Sequence, residues 1–525
     1  MTATVDPATL KAWLSDGAEI ALLDVREHGQ FGEGHLFFAV PLPYSRFELA
    51  LPALVPNPAV RLVLCDGGDD AIAARAAKRA EGLGYRNVHI LAGGTRAWKH
   101  AGYTLYAGVN VPSKTFGELV EHAKHTPRIA AQDLEAMRRA GDNFVIVDGR
   151  PFAEYRKMNI PGGICCPNGE LVLRIGDIAP DPKTKIVVNC AGRTRSIIGA
   201  QTLIDFGVAN PVYALENGTQ GWTLAGLELE HGADRRYRDS AQPADTTGLG
   251  KQARALAEVH GVAFVTAAQA KSWIADPSRT TYLLDVRTAE EFAAGSVPGF
   301  AHAAGGQLVQ ATDQWVGVKG ARLVLLDAEE VRAPVIAGWL RQLGHEACVL
   351  QGGIAAAAKL DWPPRKARPA PSAPAAMTPA DLADALRQDS AHVIDLRPAM
   401  SYRMGHIPQA RWSIRPRIAT AVAHATKPVV LVADEPEVAG FAALDLAEAG
   451  CLDVRRLAGG HEAWRQAGLP VVATPDDPAD ADCIDFSFFT HGRHDGNAEA
   501  ARQYLAWETG LIAQLDTQER GAFRI

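Results

Sequence analysis

An apolar run that ends in Asp-x-Arg occurs four times in this 525-residue chain, and this repeat constrains the fold more than any other feature. The four runs end at Arg26, Arg150, Arg287 and Arg397. After each run come an aromatic residue and then a Gly or Pro turn, the aromatic residues being Phe31, Tyr155, Phe292 and Tyr402. Self-similarity at this spacing indicates one domain copied four times rather than a single large domain.

A second Val/Ile/Leu-rich run follows each Asp-x-Arg by about forty residues. These second runs end at Cys65, Cys190, Leu326 and Ala433. An Ala-rich helical stretch, a third short strand and a Gly turn complete each copy. Continuous apolar strands that alternate with helices are typical of parallel sheets covered on both faces. The sequence therefore predicts an α/β fold of four repeated domains, each a parallel sheet with helices on both faces.

The spacing of these signals predicts the domain boundaries. We place unit 1 at residues 1–108, unit 2 at 125–232, unit 3 at 258–366 and unit 4 at 377–474. Residues 475–525 form a tail, in which one amphipathic helix is expected because four apolar residues share a face at three- and four-residue spacing: Tyr504, Trp507, Leu511 and Leu515.

Charge and composition exclude several functions. The chain has 53 Lys and Arg against 60 Asp and Glu, a net charge of -7, so it has no excess positive field for binding nucleic acid. No apolar run approaches the roughly 20 residues of a membrane span, and the first residues lack a basic segment followed by an apolar one. We therefore expect a cytoplasmic protein. Seven scattered cysteines are too few for a disulfide framework, so an important one is expected to work as a thiol.

One of the four second-strand ends carries a complete reactive site. It is the segment Cys190-Ala191-Gly192-Arg193-Thr194-Arg195-Ser196, between an apolar strand and a helix. Successive backbone N–H groups and the positive end of a helix dipole favour thiolate over thiol at such a place. Arg193 and Arg195 add fixed positive charge suited to an oxyanion. The loop predicts a nucleophilic Cys190 inside an anion-binding ring; the alternative is a buried thiol that only packs.

These motifs together resemble the rhodanese (sulfurtransferase) homology domain, repeated four times over nearly all the chain except the tail. Unit 2 matches best. The resemblance implies that Cys190 carries a persulfide and that a small sulfur-donor anion such as thiosulfate passes sulfur to a thiol or cyanide acceptor, without a cofactor or metal. A protein sulfur acceptor or a homodimer is a further possible partner, and no membrane or nucleic acid is expected.

Loop length separates two chemistries. Cysteine phosphatases of the related Cdc25 type use Cys-x5-Arg, whereas four residues separate Cys190 from Arg195 here. A shorter loop suits a sulfur atom on the thiolate better than a tetrahedral phosphate. Sulfur transfer is therefore the leading hypothesis, with a phosphatase or arsenate reductase, and a persulfide carrier or scaffold for a protein partner, as alternatives.

Other residues of unit 2 are candidates with weaker signals. Asp148 and Arg150 either contact substrate or form an internal ion pair that supports the site, and their recurrence in every unit favours the ion pair. Arg156 follows the aromatic Tyr155 and is expected to contact an anionic donor. Adjacent thiols at Cys165 and Cys166 either relay sulfur or only pack. Two further polar residues are weak candidates for the pocket wall, Asn168 and Glu170.

The sequence predicts that the other three units have lost the site. Unit 1 keeps Cys65 at the end of its second strand, but Asp66, Asp69 and Asp70 follow it, and like charge raises a thiol pKa and repels anionic donors. Acidic segments also follow Leu326 and Ala433. By analogy with two-domain members of the family, we expect unit 1 to pair with the catalytic unit 2, and unit 3 with unit 4.

Overall fold

The computed structural model describes residues 2–68, 71–237, 246–423, 426–491 and 497–525. It contains four five-stranded parallel sheets, one in each predicted unit. In every sheet the first strand of the unit lies at one edge and the third at the other. The strand that carries Asp-x-Arg pairs with the strand formed by the second Val/Ile/Leu-rich run. Helices cover both faces, so the predicted α/β fold of four repeated domains is confirmed.

Units 1 and 2 have the same order of elements. The strands of unit 1 are β1 Ala3–Val5, β2 Ile20–Asp24, β3 Val40–Pro41, β4 Arg61–Cys65 and β5 Val88–Leu91, and its helices are α1 Pro7–Trp13, α2 His28–Glu33, α3 Phe47–Leu54, α4 Ile72–Gly82 and α5 Gly94–His100. Helix α6, Val111–Lys124, connects the two units. The strands of unit 2 are β6 Arg128–Ile129, β7 Phe144–Asp148, β8 Ile164–Cys165, β9 Lys185–Asn189 and β10 Val212–Leu215, and its helices are α7 Ala131–Ala140, α8 Phe152–Lys157, α9 Leu171–Ile178, α10 Thr194–Asp205 and α11 Gly218–Leu224.

Units 3 and 4 repeat the pattern after helix α12, Thr246–Val259. The strands of unit 3 are β11 Ala263–Val265, β12 Thr281–Asp285, β13 Ala301–His302, β14 Arg322–Leu326 and β15 Glu346–Leu350, and its helices are α13 Ala267–Ala275, α14 Ala289–Ala294, α15 Gly305–Gln310, α16 Arg332–Gln342 and α17 Gly353–Ala357. The strands of unit 4 are β16 Ala375–Met377, β17 His392–Asp395, β18 Arg411–Trp412, β19 Val429–Val432 and β20 Val454–Leu457, and its helices are α18 Pro379–Arg387, α19 Ala399–Met404, α20 Ile418–Ala421, α21 Pro436–Glu448 and α22 Gly460–Gln466.

The tail is helical, but its apolar stripe spans two helices. The helices are α23 Phe488–His491, α24 Ala498–Thr509, α25 Leu511–Gln514 and α26 Thr517–Arg520. Helix α24 ends before Gly510, so Leu511 begins a new helix. Tyr504 and Leu511 are nevertheless buried, 2% and 0% exposed, and Trp507 and Leu515 pack with Leu511 against unit 1. The tail is therefore part of the packed core.

The units pair differently from the expectation. Unit 2 packs against unit 3 through equivalent elements: a Cβ on Gly169 would lie 2.8 Å from the backbone N of Gly306, and a Cβ on Gly306 would lie 2.9 Å from that of Gly169. Trp339 of unit 3 also donates a 2.8 Å hydrogen bond to Thr202 of unit 2. This contact is reciprocal, as in a two-fold pair. The expected pairing of unit 1 with unit 2 was wrong, because the order of the repeats does not show which faces pack against each other.

Units 1 and 4 form the second pair. Arg415 of unit 4 is 1% exposed and binds Glu48 of unit 1 at 2.5 Å. Asp445 of unit 4 accepts a 3.0 Å hydrogen bond from the Tyr44 hydroxyl of unit 1 and pairs with Arg79 at 2.6 Å. Buried charges require such partners, since removing one leaves the other charge desolvated and unpaired. The expected pairing of unit 3 with unit 4 is therefore also corrected.

Within the described ranges, the chain contains no helix that is both long and apolar enough to cross a membrane. The same residues contain no group of three or more His, Cys, Asp or Glu side chains placed to hold a metal ion. All seven cysteines are free thiols.

Candidate active site at Cys190

Cys190 follows β9 and precedes α10, at the carboxyl end of the central strand of unit 2. The side chains of Ile186, Val187 and Val188 are 0% exposed, so β9 is fixed in the core and presents Cys190 at its end. Cys190 is itself 2% exposed, and the Ser196 hydroxyl donates a hydrogen bond to its Sγ at 3.0 Å. Two residues of the predicted site, Cys190 and Ser196, are thus in direct contact.

Backbone N–H groups in the first turn of α11 bind carbonyl groups of the Cys190 loop. The backbone N–H of Thr219 donates to the carbonyl of Cys190 at 2.8 Å, and that of Gln220 donates to the carbonyl of Ala191 at 3.1 Å. Gly218 has φ +54°, and a Cβ there would lie 2.3 Å from the carbonyl oxygen of Cys190. Only glycine allows this close approach. The geometry of the loop therefore depends on the Gly turn at Gly218.

Arg193 binds two glutamates of the connecting helix α6. Its Nε lies 2.6 Å from Glu118, and its guanidinium also binds Glu121. Arg193 is 7% exposed and Glu118 is 2% exposed. Burial acts to lower the pKa of Arg193, but the hydrogen bond and charge of Glu118 outweigh this effect and the pKa is raised. In this conformation the Arg193 guanidinium anchors the loop to α6.

Arg195 lies at the contact between units 2 and 3. Its guanidinium binds Glu154 of α8 at 2.9 and 2.8 Å, and its Nη1 donates to Gln307 of unit 3 at 3.2 Å. The carbonyl of Arg195 accepts a 2.9 Å hydrogen bond from Asn168, the weak candidate for the pocket wall. Glu154 keeps 41% of its side chain exposed whereas Arg195 keeps 13%. A partly exposed carboxylate of α8 and a side chain of unit 3 thus hold the Arg195 guanidinium.

Thr194 and Gly192 contact the tail, a feature that the sequence analysis missed. The Thr194 hydroxyl donates to Oε1 of Glu508 at 2.7 Å, and Glu508 is 2% exposed. A Cβ on Gly192 would lie 3.3 Å from Oε2 of Glu508 and 3.4 Å from Nε2 of Gln220. Among the described residues, that Oε2 and both amide atoms of Gln220 have no hydrogen-bond partner. Helix α24 therefore supplies a carboxylate to the outer side of the loop, which no local sequence signal indicated.

Asp148 and Arg150 form an internal ion pair. Arg150 binds Asp148 at 2.7 Å and donates to the carbonyl of Met158 at 2.6 Å, and both charged residues are 1% exposed. Asn189 adds a 2.9 Å hydrogen bond to Asp148. The equivalent pairs of the other units make the same contacts: Arg26 with Asp24, Arg287 with Asp285 and Arg397 with Asp395. In every unit the pair therefore joins the end of the Asp-x-Arg strand to the end of the short helix that follows it. Arg156, by contrast, is exposed on α8.

Cys165 and Cys166 are buried at the end of β8. Cys165 is 1% exposed and Cys166 is 0% exposed. The Cys165 thiol lies 3.5 Å from the carbonyl of Arg150. Burial raises the pKa of Cys165 to about 12 and that of Cys166 well above its usual value. Both side chains are therefore protonated at neutral pH, which disfavours attack by either of them on a disulfide or persulfide.

The strand register shows which residue of each unit occupies the position of Cys190. Asp148 pairs with Asn189 in unit 2, whereas Asp24 pairs with Cys65 in unit 1, so Cys65 is equivalent to Asn189. The residue equivalent to Cys190 is Asp66, whose carbonyl accepts the matching bond from Thr95 N–H at 2.8 Å. The expectation that unit 1 keeps its cysteine at the catalytic position was wrong by one residue. Asp69 and Asp70 lie outside the described residues.

Units 3 and 4 follow the same register. In unit 3 Asp285 pairs with Leu326, which makes Asp327 the equivalent of Cys190. In unit 4 Asp395 pairs with Val432, which makes Ala433 the equivalent residue. The prediction that Leu326 is equivalent to Cys190 was therefore wrong by one residue, whereas the same prediction for Ala433 is confirmed by the register.

Unit 3 shows what the loop does to a negative charge. The Asp327 carboxylate accepts hydrogen bonds from the backbone N–H groups of Glu330, Val331 and Arg332, at 3.0, 3.0 and 2.7 Å. Arg332 in turn binds Glu291 at 2.6 Å, which repeats the contact of Arg195 with Glu154 in unit 2. Burial raises the pKa of Asp327 to about 6, so its carboxylate is charged at neutral pH. The unit 3 loop is thus a ring of N–H donors around an anion.

Two candidates remain, Cys65 at the end of a strand of unit 1 and Glu170 at the contact between units 2 and 3. Cys65 is 0% exposed, and burial raises its pKa well above the usual value, with the charge of Asp24 acting in the same direction. Glu170 does not face Cys190 but binds Arg332 of unit 3 at 2.9 Å. It therefore belongs to the contact between units 2 and 3.

Comparisons with known proteins agree on the domain type. A family profile described as the rhodanese-like domain matches residues 6–101, 130–225, 266–359 and 378–467. A crystal structure of thiosulfate sulfurtransferase from Pseudomonas aeruginosa is 41% identical and has a TM-score of 0.92, with 100% of this chain and 99% of that one covered. An HTH-type transcriptional regulator from Mycobacterium tuberculosis is 32% identical over 111 residues, which are 21% of this chain and 48% of the regulator.

Proposed function

Because the chain belongs to the rhodanese-like domain family, in four copies, we propose that it is a sulfurtransferase with one reaction centre, Cys190. The observation that carries this proposal is the position of the Cys190 thiol at a strand end, 3.0 Å from the Ser196 hydroxyl and in the loop that leads into helix α10, which begins at Thr194. The equivalent loop of unit 3 holds a carboxylate with three backbone N–H groups. The same arrangement in unit 2 would stabilise a thiolate and then a persulfide.

The proposed reaction has two half-reactions. In the first, the Cys190 thiolate attacks the outer sulfur of a donor such as thiosulfate, a new S–S bond forms, and the S–S bond of the donor breaks as sulfite leaves with the electron pair. The backbone N–H groups of Arg193, Thr194 and Arg195, which correspond in register to those that hold the Asp327 carboxylate, are the proposed stabilisers of the leaving anion, together with the Arg195 side chain. Arg193 and Thr194 hold the loop in place through α6 and the tail.

In the second half-reaction, cyanide or a thiolate attacks the outer sulfur of the Cys190 persulfide. The products are thiocyanate or an acceptor persulfide, and the Cys190 thiolate is restored. One covalent intermediate shared by two half-reactions predicts ping-pong kinetics. Exposed Arg156 lies on the same helix as Glu154 and is a proposed contact for the anionic donor as it enters.

Two alternative functions can be distinguished from sulfur transfer to a small acceptor. A protein sulfur acceptor would make Cys190 a persulfide carrier, a function distinguished by slow transfer to cyanide and fast transfer to that protein. A phosphatase or arsenate reductase is disfavoured by the four residues between Cys190 and Arg195. An assay with an aryl phosphate separates this chemistry from sulfur transfer.

A homodimer and a cytoplasmic location remain predictions from the sequence, and the seven free thiols are compatible with a reducing compartment.

Thiocyanate formation tests the proposal. Thiosulfate with excess cyanide should give thiocyanate with the wild type, and Cys190→Ala should lower the rate to the uncatalysed background. Cys65→Ala is the matched control, since Cys65 is a buried thiol on the equivalent strand of unit 1 and lies outside the Cys190 loop. A rate that persists in Cys190→Ala, or that is lost in a folded Cys65→Ala, would contradict the assignment of Cys190.

A further inference from the structure

A cavity of about 270 Å³ lies where unit 1, unit 3 and the last residues of the tail meet. We name it the interunit cavity. Aromatic rings form much of its wall: Phe31, Phe37, Phe38 and Phe523. Val316 closes it from unit 3, and none of its lining residues belongs to the Cys190 loop of residues 190–196. Cavities at domain contacts with apolar walls are typical places for small-molecule binding.

A few polar groups converge on these apolar walls. Asp313 lines the cavity, and its buried Oδ1 has no hydrogen-bond partner among the described residues. His35 lines it too and binds the carbonyl of Phe31 through Nδ1 at 3.0 Å, which leaves Nε2 for another contact. His345 lies on the unit 3 side. Buried polar atoms are normally satisfied, so an unsatisfied carboxylate oxygen here indicates a missing partner.

The charge states of these groups limit what the missing partner can be. Burial lowers the pKa of His35 to about 3 and that of His345 to about 4, so both rings are neutral at pH 7. Burial raises the pKa of Asp313 to about 6, against the opposing charge of Lys114. Two cationic residues, Lys319 and Arg524, also line the cavity, but both are exposed. The buried part of the wall thus contains one carboxylate acceptor beside neutral imidazoles, which favours a hydrogen-bond donor over an anion.

The volume sets the size of the ligand. An engineered apolar cavity of about 150 Å³ holds benzene, so a cavity of 270 Å³ holds roughly ten non-hydrogen atoms. A bicyclic aromatic ring has this size. Lys319 and Gly320 line the cavity and are exposed, so a small molecule can approach from this side.

We propose that the interunit cavity is a binding site for a small, uncharged aromatic molecule that donates an N–H or O–H hydrogen bond to Asp313. The aromatic walls supply apolar contact, and the single carboxylate oxygen selects the donor. This site is separate from sulfur transfer, and it does not depend on the function proposed for Cys190.

Indole and benzofuran test the proposal because they have nearly the same shape and only indole carries an N–H donor. Titration calorimetry with the full chain should show saturable indole binding and at least fivefold weaker binding of benzofuran. Ala39→Leu narrows the cavity from unit 1, and Val316→Phe narrows it from unit 3. Each should weaken indole binding at least tenfold, and the thermal midpoint of each variant without ligand reports whether it is folded.

Two results would overturn the proposal. The first is an absence of saturable indole binding to the wild type, or indole binding that is unchanged in whichever cavity variant folds. The second is equal binding of indole and benzofuran, which would remove the role of Asp313. The use of two variants from opposite walls keeps the test decisive if one of them fails to fold.

Discussion

The loops that begin at Cys190 and at Asp327 occupy the same position in two copies of one fold and differ in their first residue. Each follows a buried strand, and each has its first carbonyl held by a backbone N–H, at 2.8 Å from Thr219 and at 3.0 Å from Ile354. Each carries an arginine bound to a glutamate of the preceding short helix, Arg195 with Glu154 and Arg332 with Glu291. Unit 3 thus keeps the frame of the site without its thiol.

This comparison separates what the backbone does from what the side chain does. In unit 3 the carboxylate of Asp327 lies within hydrogen-bond distance of three backbone N–H groups. Backbone donors of this kind act on whatever anion the first side chain provides. We therefore expect that the first residue of the loop, rather than the fold, determines which unit can accept sulfur.

The largest expected effect is the transfer of activity from one unit to another. Asp327→Cys in a Cys190→Ser background places a thiol inside the unit 3 loop, and we expect it to accept sulfur from thiosulfate. Glu329 and Glu330 follow this position, so loading should be roughly tenfold or more slower than for Cys190, because negative charge repels the donor. Intact-mass measurement after thiosulfate treatment checks this.

The same double variant can also break the comparison. Cys190→Ser alone is the control and should gain no sulfur. A folded double variant that gains none either would mean that the unit 3 loop lacks a feature of unit 2 beyond the thiol.

A smaller effect is expected at the two glutamates. Glu154→Gln removes a negative charge beside Arg195, so the KM for thiosulfate should fall roughly two- to fivefold, with kcat changed less than twofold. Glu291→Gln is the matched change in unit 3 and should leave both constants unaltered. Steady-state kinetics with varied thiosulfate distinguish the two. A rise in KM for Glu154→Gln would show instead that Glu154 is needed to position Arg195.

The tail should matter to the rate by a similar factor. Glu508→Ala removes the acceptor of the buried 2.7 Å hydrogen bond from Thr194, so the loop loses a support and kcat should fall about three- to tenfold. Glu499→Ala, an exposed site on the same helix, is the control. If kcat is retained in Glu508→Ala, the tail contributes only to stability. The substitution would then change only the thermal midpoint in a melting curve.

The smallest effect concerns pH and stability. The pKa of Asp327 is about 6 in the folded chain and lower when unfolded, so its contribution to stability is complete below about pH 4 and is lost as pH rises through 6. The Asp327→Asn variant has no titratable carboxyl group at this position. The free energy of unfolding of the variant relative to the wild type should therefore rise from pH 4.5 to pH 7, by on the order of 1 kcal/mol. Urea unfolding at both pH values measures it, and a difference that falls with pH would contradict the assignment.

Much of the fold could be predicted because each unit carries its own local signals. The Asp-x-Arg strand ends in a buried ion pair in all four units, which explains why the motif recurs even where no thiol follows. The position equivalent to Cys190 was missed by one residue in units 1 and 3, because Cys65 and Leu326 extend the apolar strand to its last residue. Only the strand register distinguishes them from Cys190.

The remaining features depend on contacts between segments that are distant in the chain. Glu118 and Glu508 reach the Cys190 loop from the connecting helix and from the tail, and neither lies in a motif. Gln307 reaches Arg195 from unit 3 because units 2 and 3 pack together. Pairing of whole units is decided by surface complementarity between copies of similar sequence, which the order of the repeats does not reveal.

The mass of the Cys190 peptide after treatment with a sulfur donor shows whether this thiol forms a persulfide. Wild-type protein should be incubated with thiosulfate, freed of small molecules and measured intact and as peptides, beside Cys190→Ser. The account predicts one added sulfur atom on the peptide that contains Cys190 and none on the variant. An adduct of the same size on Cys190→Ser, or on Cys65 or Cys165 of the wild type with Cys190 unmodified, would contradict it.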